Sequence, residues 1–321
     1  MIIVTGSNGF IGSNLITQLN AIGRNEIIAV DDHSNLELRK NIAHCKISEN
    51  LEIEDFIDRI KSGRFDETEI EAIFHQGACS NTMEWDANFL LKNNYVYSKT
   101  LLDFSEKKNI PFIYASSAAV YGNGVEFKES KENEDPINLY GYSKYLFDQC
   151  VRGRLKNHRS QIVGMRYFNV YGQNEAHKGT MASVAYHLNN QLRDDNEVKL
   201  FEGSGGYENG EQRRDFIHVD DIVKVNLWFL NNPKISGIFN VGTGKSQTFN
   251  EVAEAIIDWN NKGSIKYIPF PQKLKDSYQS FTEADISSLR EAGYKEDFLS
   301  VSNGVRKYLD VLSGWPKNER R

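Results

Sequence analysis

The chain reads as an α/β protein built on a doubly wound parallel sheet, with a smaller C-terminal lobe. Three observations predict this. Short apolar runs alternate with helical patterns through the first half of its 321 residues. A glycine-rich turn follows the first run, and Tyr140-Gly-Tyr-Ser-Lys144 recurs at helical spacing further on.

Met1-Ile-Ile-Val4 suits a buried parallel strand. Thr5-Gly6-Ser-Asn-Gly9-Phe-Ile-Gly12 follows, then the amphipathic Ser13–Leu19. Strand, glycine turn and helix together hold a pyrophosphate: the glycines permit a tight turn and close backbone approach, and the helix N-terminus offers free N–H groups. A second strand, Ile27–Val30, ends in Asp31 and Asp32, where an acidic side chain holds a ribose hydroxyl. A helix near Ile53–Ile60, a strand Ala72–His75 and a helix from Met83 to Lys107, interrupted near Asn93-Asn94, come next. Pro111–Ala115, a helix over 141–156 and a strand Gln161–Arg166 complete the alternation. Ligands of such sheets bind outside the carboxyl ends of the strands.

After Arg166 the texture changes. A helix Thr180–Arg193, a polar insert Gly203–Gly210, a strand Phe216–Val219 with an apolar helix, a strand Ile238–Gly242 and helices over 249–260 and 284–314 are expected. The division is therefore 1–168 for a dinucleotide-binding domain, with a return of 214–243. Residues 169–213 and 244–321 form a substrate lobe.

Composition narrows the function. Hydrophobic residues are 40% and charged residues 26% of the chain, as in ordinary globular proteins. A formal net charge of −6 gives no basic footprint for nucleic acid. No run of eighteen apolar residues predicts a membrane span, and the first strand begins at Met1 without a leader. Cys45, Cys79 and Cys150 are widely spaced, and the seven histidines lack ligand spacing. A cytoplasmic protein without a metal is expected.

Tyr140 and Lys144, four apart on a helix, point from one face. A lysine ammonium beside a phenol favours the phenolate, so the pair can exchange protons with an alcohol or a ketone. With a hydride carrier held by the glycine loop, the expected chemistry is redox at a carbinol carbon.

The glycine motif, Ser116-Ser-Ala-Ala-Val-Tyr121-Gly, Y-x-x-x-K and Arg166-Tyr-Phe-Asn-Val-Tyr-Gly172 occur in this order. In them the chain resembles the extended short-chain dehydrogenase/reductase family. Gly77–Ser80, Glu84–Asp86, His177–Val184, Phe201–Ser204, Val225–Leu230 and Tyr267–Pro271 narrow the resemblance to the branch that epimerises ADP-heptose at the sugar's C6″. The resemblance implies an isomerase of lipopolysaccharide precursor synthesis, assembled as a homo-oligomer, a homopentamer. It implies Ser117 as the group bonding the reacting oxygen, Tyr140 as acid/base, Lys144 as its electrostatic partner and Lys178 as a second acid/base. Cofactor contacts follow at Gly6, Gly9, Phe10, Ile11, Gly12, Asp31, Asp32, Arg39, Gln76, Gly77, Ala78, Cys79, Ser80, Asn93, Lys144, Val170 and Lys178. Substrate contacts follow at Ser117, Asn169, Thr180, His187, Phe201, Glu202, Gly203, Ser204, Arg214 and Tyr278, with Arg213 an alternative to Arg214.

The cofactor implied is NADP. Against this stand Leu38 where the family has a lysine, and the carboxylates of Asp31 and Asp32, which favour NAD. A UDP-hexose 4-epimerase or dehydratase of the same fold is the rival reading, and an inactive dinucleotide-binding sensor a remote one. Ala118 in place of an acidic residue speaks against a dehydratase, and Lys178 against a 4-epimerase.

Overall fold

A computed structural model describes residues 1–271 and 279–314. The chain divides into two compact units, one of Met1–Gly122, Glu129–Tyr167 and Val223–Phe239, the other of Asn123–Lys128, Phe168–Ile222 and Asn240–Arg321.

The first unit is organised by a seven-stranded sheet. Its strands are β1 (Ile2–Thr5), β2 (Ile27–Asp31), β3 (Glu49–Glu52), β4 (Ala72–His75), β5 (Phe112–Ser117), β6 (Ile162–Tyr167) and the strand Gly237–Val241. The last of these begins the order, followed by β6, β5, β4, β1, β2 and β3. Pairing among β1–β6 is parallel throughout. The chain therefore winds outward from β1 in both directions, and the reversal falls between β1 and β4. That is where the crevice of a doubly wound sheet opens.

Strand burial explains the apolar runs. Ile3, Val4, Ala29, Val30, Ile73 and Phe74 are inaccessible to solvent, because helices cover both faces of a parallel sheet. Five helices are used below: α1 (Phe10–Ala21), α2 (Ile53–Lys61), α3 (Ala87–Leu90), α4 (Tyr97–Lys108) and α5 (Leu139–Arg154). Leu101 and Leu102 from α4 and Phe147 and Val151 from α5 pack with Ile3, Ile73, Phe112 and Ile162 in one core.

Two sequence expectations change here, and a third is found in place. Strand β3, Glu-Asn-Leu-Glu, is unexpected because it is polar; it sits at the sheet edge, where only Leu51 of its residues is buried. The helix expected from Met83 begins at Ala87, capped by the Asp86 side chain on Phe89 N at 3.0 Å. Its interruption at Asn93-Asn94 is a six-residue π-helical stretch, Leu91–Val96, before α4, a local distortion that often marks functional positions.

Among its described residues the second unit contains three strand pairs: Asn169–Tyr171 with Phe216–His218, Arg213–Arg214 with Gln247–Thr248, and Glu197–Phe201 with Ser264–Ile268. Helices Val184–Asp195, Phe249–Asn260 and Val301–Leu312 contribute Leu188, Leu192, Val252, Ile256, Val305 and Leu309 to a common core. The helix expected from Thr180 begins at Val184, because the Ser183 side chain caps it and the preceding Ala176–Met181 is a 3₁₀ segment broken at Gly179. Over 284–314 only Ser287–Glu291 and Val301–Leu312 are helical. Gly293, at φ 111°, closes the first of them in a conformation that glycine tolerates.

Candidate active site

The glycine turn after β1 is shaped for a dinucleotide. Gly6 has φ 65°, and a Cβ there would lie 2.6 Å from Gly77 Cα. A Cβ on Gly12 would lie 2.0 Å from Gly6 O, and one on Gly77 2.8 Å from Gly6 N. The backbones after β1 and β4 thus meet at the crevice with no room for side chains. Helix α1 starts at Phe10, with no side chain capping its N-terminus and no acidic residue in its first turn, so its N–H groups suit a phosphate. Ser7 Oγ and both side-chain amide atoms of Asn8 are buried without hydrogen-bond partners. These residues fit a nicotinamide dinucleotide.

Asp31 closes the far side of the loop. Its carboxylate accepts Asn8 N–H at 2.6 Å and Asp32 N–H at 2.9 Å. Burial raises its pKa despite those bonds. Asp32 turns away to accept Ser34 N–H at 2.7 Å, which lowers its pKa. Arg39 is exposed on the 3₁₀ helix Leu36–Ile42, and neighbouring Lys40 is paired with Glu37.

Ser117, Tyr140, Lys144 and Cys79 converge in the first unit. Ser117 ends β5, and its side chain accepts Ala119 N–H at 3.1 Å. Asn138 caps α5 by accepting Gly141 N–H at 2.7 Å, so Tyr140 lies in the first turn and shares a face with Lys144. Gly141 lets the helix approach closely: a Cβ there would lie 2.7 Å from Ala119 O. Tyr140 bonds Ser117; burial raises the phenol's pKa and this bond draws it back. Lys144 is buried, donates to Ala115 O at 3.0 Å, and has its pKa lowered by desolvation to about 8. The ammonium form persists at neutral pH, next to a phenol that must become an anion to act as a base.

A polar relay, which the sequence did not announce, fixes this geometry. Ser98 Oγ donates to Asn94 O at 2.9 Å, so its oxygen is left to accept from His75 Nε2 at 2.7 Å. His75 Nδ1 then accepts from Thr5 Oγ1 at 2.7 Å, and Thr5 Oγ1 accepts Gly77 N–H at 3.2 Å. Burial lowers the His75 pKa to about 3, so the ring is neutral. Asn94, in the π-helical stretch, accepts Cys79 N–H at 2.8 Å and donates to Cys79 O at 3.0 Å and Ser143 Oγ at 2.9 Å. Ser143 donates to Tyr140 O at 2.7 Å. The glycine turn, the Gly77–Ser80 strip and α5 are therefore joined by one chain of bonds. Asn93, the expected contact, instead donates to Phe89 O at 2.8 Å. Gln76 is committed as well, donating to Asn226 Oδ1 and accepting from Tyr167 OH, each at 3.1 Å. Ala78 and Ser80 flank Cys79 on the same strip.

In the second unit, Lys178 is half-buried on the 3₁₀ segment and Thr180 is exposed. Desolvation lowers the Lys178 pKa, opposed by Glu175. Buried Glu175 accepts Gly172 N–H at 3.1 Å, Ser183 N–H at 2.6 Å and Ser183 Oγ at 2.8 Å, and its carbonyl accepts Lys178 N–H at 2.9 Å. Asn169 is exposed and Val170 half-buried on their strand, and His187 is half-buried beside Tyr186. The Phe201 ring packs on Phe270, and the insert closes on itself: Gly203 N–H donates to Asn209 Oδ1 at 2.8 Å and Gly210 N–H to Phe201 O at 3.0 Å. Glu202 N–H donates to Ile268 O, and Ser204 O accepts Tyr207 N–H. Arg213 is tied to Ser246, donating to its carbonyl at 2.7 Å. Arg214 is buried with its guanidinium 5.8 Å from the Phe249 ring centre. Tyr278 lies outside the described residues. Among the described residues no cluster of His, Cys, Asp or Glu is placed to hold a metal ion, and no helix is long and apolar enough to cross a membrane.

Comparison with known proteins gives the same direction. Residues 2–242 match the NAD dependent epimerase/dehydratase family. The chain is 52% identical over 318 residues to the ADP-L-glycero-D-manno-heptose-6-epimerase of Alkalilimnicola ehrlichii, covering 98% of each protein. Its fold superposes on the ADP-L-glycero-D-manno-heptose-6-epimerase of Helicobacter pylori with a TM-score of 0.84 at 29% identity, covering 97% of this chain and 96% of the other. It also resembles the UDP-N-acetylglucosamine 4-epimerase of Methanobrevibacter ruminantium, with a TM-score of 0.83 at 26% identity over 98% of both. A glycine crevice for a dinucleotide, a Ser–Tyr–Lys cluster beside it and a match over residues 2–242 agree: the chain belongs to the NAD dependent epimerase/dehydratase family.

Proposed function

We propose that this protein epimerises ADP-D-glycero-β-D-manno-heptose at C6″ to the L-glycero form, an isomerase reaction supplying lipopolysaccharide precursors. The observation that carries this is the 52% identity spanning 98% of both chains.

Inverting a secondary alcohol needs C6″ to become a flat ketone and then to take hydride back on its opposite face. A bound nicotinamide dinucleotide supplies the hydride acceptor and donor. Tyr140 takes the hydroxyl proton as C6″ oxidises, and Ser117 holds the same oxygen by hydrogen bond. Lys144 stabilises the phenolate by its charge. After the sugar turns, the ketone oxygen needs a proton donor on its other side, and Lys178 takes that role. Its depressed pKa brings it nearer neutrality, where proton exchange is efficient. Asn169, Thr180, His187, Phe201–Ser204, Arg214 and Tyr278 bind the ADP-sugar, with Arg214 or Arg213 on the diphosphate.

The cofactor taken here is NADP, with Arg39 at its 2′-phosphate. NAD is the second reading, favoured by the Asp31 carboxylate at the end of β2. Mass analysis of the nucleotide released on denaturation separates them. A homo-oligomer, five subunits in the branch resembled, accommodates exposed Met83, Trp85 and Phe89, and light scattering gives the count. The protein is taken to be cytoplasmic.

The test is turnover of ADP-heptose against UDP-galactose and UDP-N-acetylglucosamine. Epimerisation of the ADP-sugar alone supports the reading. Turnover of only a UDP-sugar overturns it in favour of a 4-epimerase.

A further inference from the structure

Helix α5 presents a third polar side chain on the Tyr140–Lys144 face. Asp148 follows Lys144 by one helical step of four and is inaccessible to solvent. Its carboxylate accepts Tyr114 OH at 2.8 Å, Ser116 Oγ at 3.0 Å and Arg166 Nε at 2.9 Å. Tyr114 and Ser116 flank Ala115, whose carbonyl takes the Lys144 ammonium. Ser117 is the next residue along β5. The Asp148 bonds therefore clip α5 to β5 across the same three residues that align Ser117 with Tyr140 and Lys144.

A buried carboxylate bound by one arginine and two hydroxyls does more than such packing needs. Arg166 pairs with both Asp148 at 2.9 Å and Glu134 at 2.5 Å, and Glu134 also pairs with Arg152, so two carboxylates face two guanidiniums. Replacement of a buried ion network by apolar side chains is often neutral for stability, so stability alone does not account for its place next to Lys144. The other groups facing Lys144 offer it no fixed anion. His75 from β4 is neutral, Cys79 is a thiol whose pKa burial raises, and Tyr140 is a neutral phenol at rest.

We infer that Asp148 is a positioning residue for the reaction: it pins α5 to β5 and supplies the fixed counter-charge that keeps Lys144 an ammonium beside Tyr140. The inference rests on Tyr140 and Lys144 acting as proposed above. Desolvation drives the Lys144 pKa down to about 8, and Asp148 is the foremost influence opposing it. Removing that charge lowers the Lys144 pKa further, and with it the share of ammonium that stabilises a phenolate.

The test reads Lys144 directly and does not depend on the identity of the sugar. In the holoenzyme labelled with ¹³C-lysine, the Lys144 Cε resonance, assigned with Lys144→Arg, is titrated in wild type, Asp148→Asn and Asp148→Glu. The alkaline limb of the pH–rate profile is measured alongside. In Asp148→Asn the Lys144 midpoint falls by about one unit or more, and the alkaline limb moves down with it. Asp148→Glu, which keeps the charge, stays within about half a unit of wild type. An unmoved midpoint in folded Asp148→Asn, with activity reduced equally at all pH values, makes Asp148 a purely structural group and overturns the inference. Should Asp148→Asn fail to fold, Asp148→Ser, equally uncharged, is read in its place: a midpoint lowered by about one unit supports the counter-charge, and an unmoved midpoint contradicts it.

Discussion

Asn94 brackets Cys79 from both sides, accepting its N–H at 2.8 Å and donating to its carbonyl at 3.0 Å. One buried amide thereby sets the path of the strip that follows β4, and through Ser143 ties it to the helix bearing Tyr140. The substitution Asn94→Ala leaves the half-buried N–H and C=O of Cys79 without these partners. It should cost about 1–3 kcal/mol of stability and reduce the bound dinucleotide recovered after gel filtration. Thermal unfolding and nucleotide absorbance check both.

Gly12→Ala tests the crevice. The added methyl would lie 2.0 Å from Gly6 O, a backbone atom, so the turn itself must shift. Overpacking of this kind costs about 1–3 kcal/mol. The variant should purify folded but with little nucleotide, whereas Gly153→Ala, where a Cβ meets nothing within 4 Å, should retain it fully.

The neutral His75 makes stability depend on pH. Its folded pKa of about 3 lies below the ordinary 6.5. Above pH 6.5 neither state binds the proton and nothing is lost. As pH falls from 6.5 toward 3 the unfolded chain binds it first, so stability declines by up to about 1.4 kcal/mol per pH unit from this residue. Denaturant titrations between pH 7 and 5 should show a shallower decline in His75→Gln than in wild type.

Glu175 holds the segment carrying Lys178 and Thr180. Glu175→Ala strands the Gly172 N–H, the Ser183 N–H and the Ser183 hydroxyl, and should lower stability by on the order of 3 kcal/mol. A fall in kcat of about tenfold or more is expected if that segment positions an acid/base. Circular dichroism and steady-state rates at a permissive temperature separate the two effects.

Much of the sheet was legible because buried parallel strands such as Ile2–Thr5 and Ala72–His75 are apolar up to their last residue, and glycines mark the turn between β1 and α1. Elements whose signals are tertiary were not. Strand β3 is polar because it lies at the sheet edge, and the π-helical stretch, which turns the Asn94 amide onto Cys79 and Ser143, has no signature in its own residues. The pair Asn93-Asn94 gave no sign of which amide turns inward. The Tyr140–Lys144 spacing was plain, since four residues on a helix fix a shared face. The counter-charge at Asp148 needed the register of β5 against α5.

The central claim is that C6″ loses a hydride and regains the same one on its other face, with Tyr140 and Lys178 handling protons. ADP-D-glycero-β-D-manno-heptose deuterated at C6″ is incubated with the protein in ordinary water and followed by NMR. The account predicts inversion at C6″ with the deuterium kept on that carbon. Recovery of unchanged sugar, or inversion with the deuterium exchanged for solvent hydrogen, would contradict it.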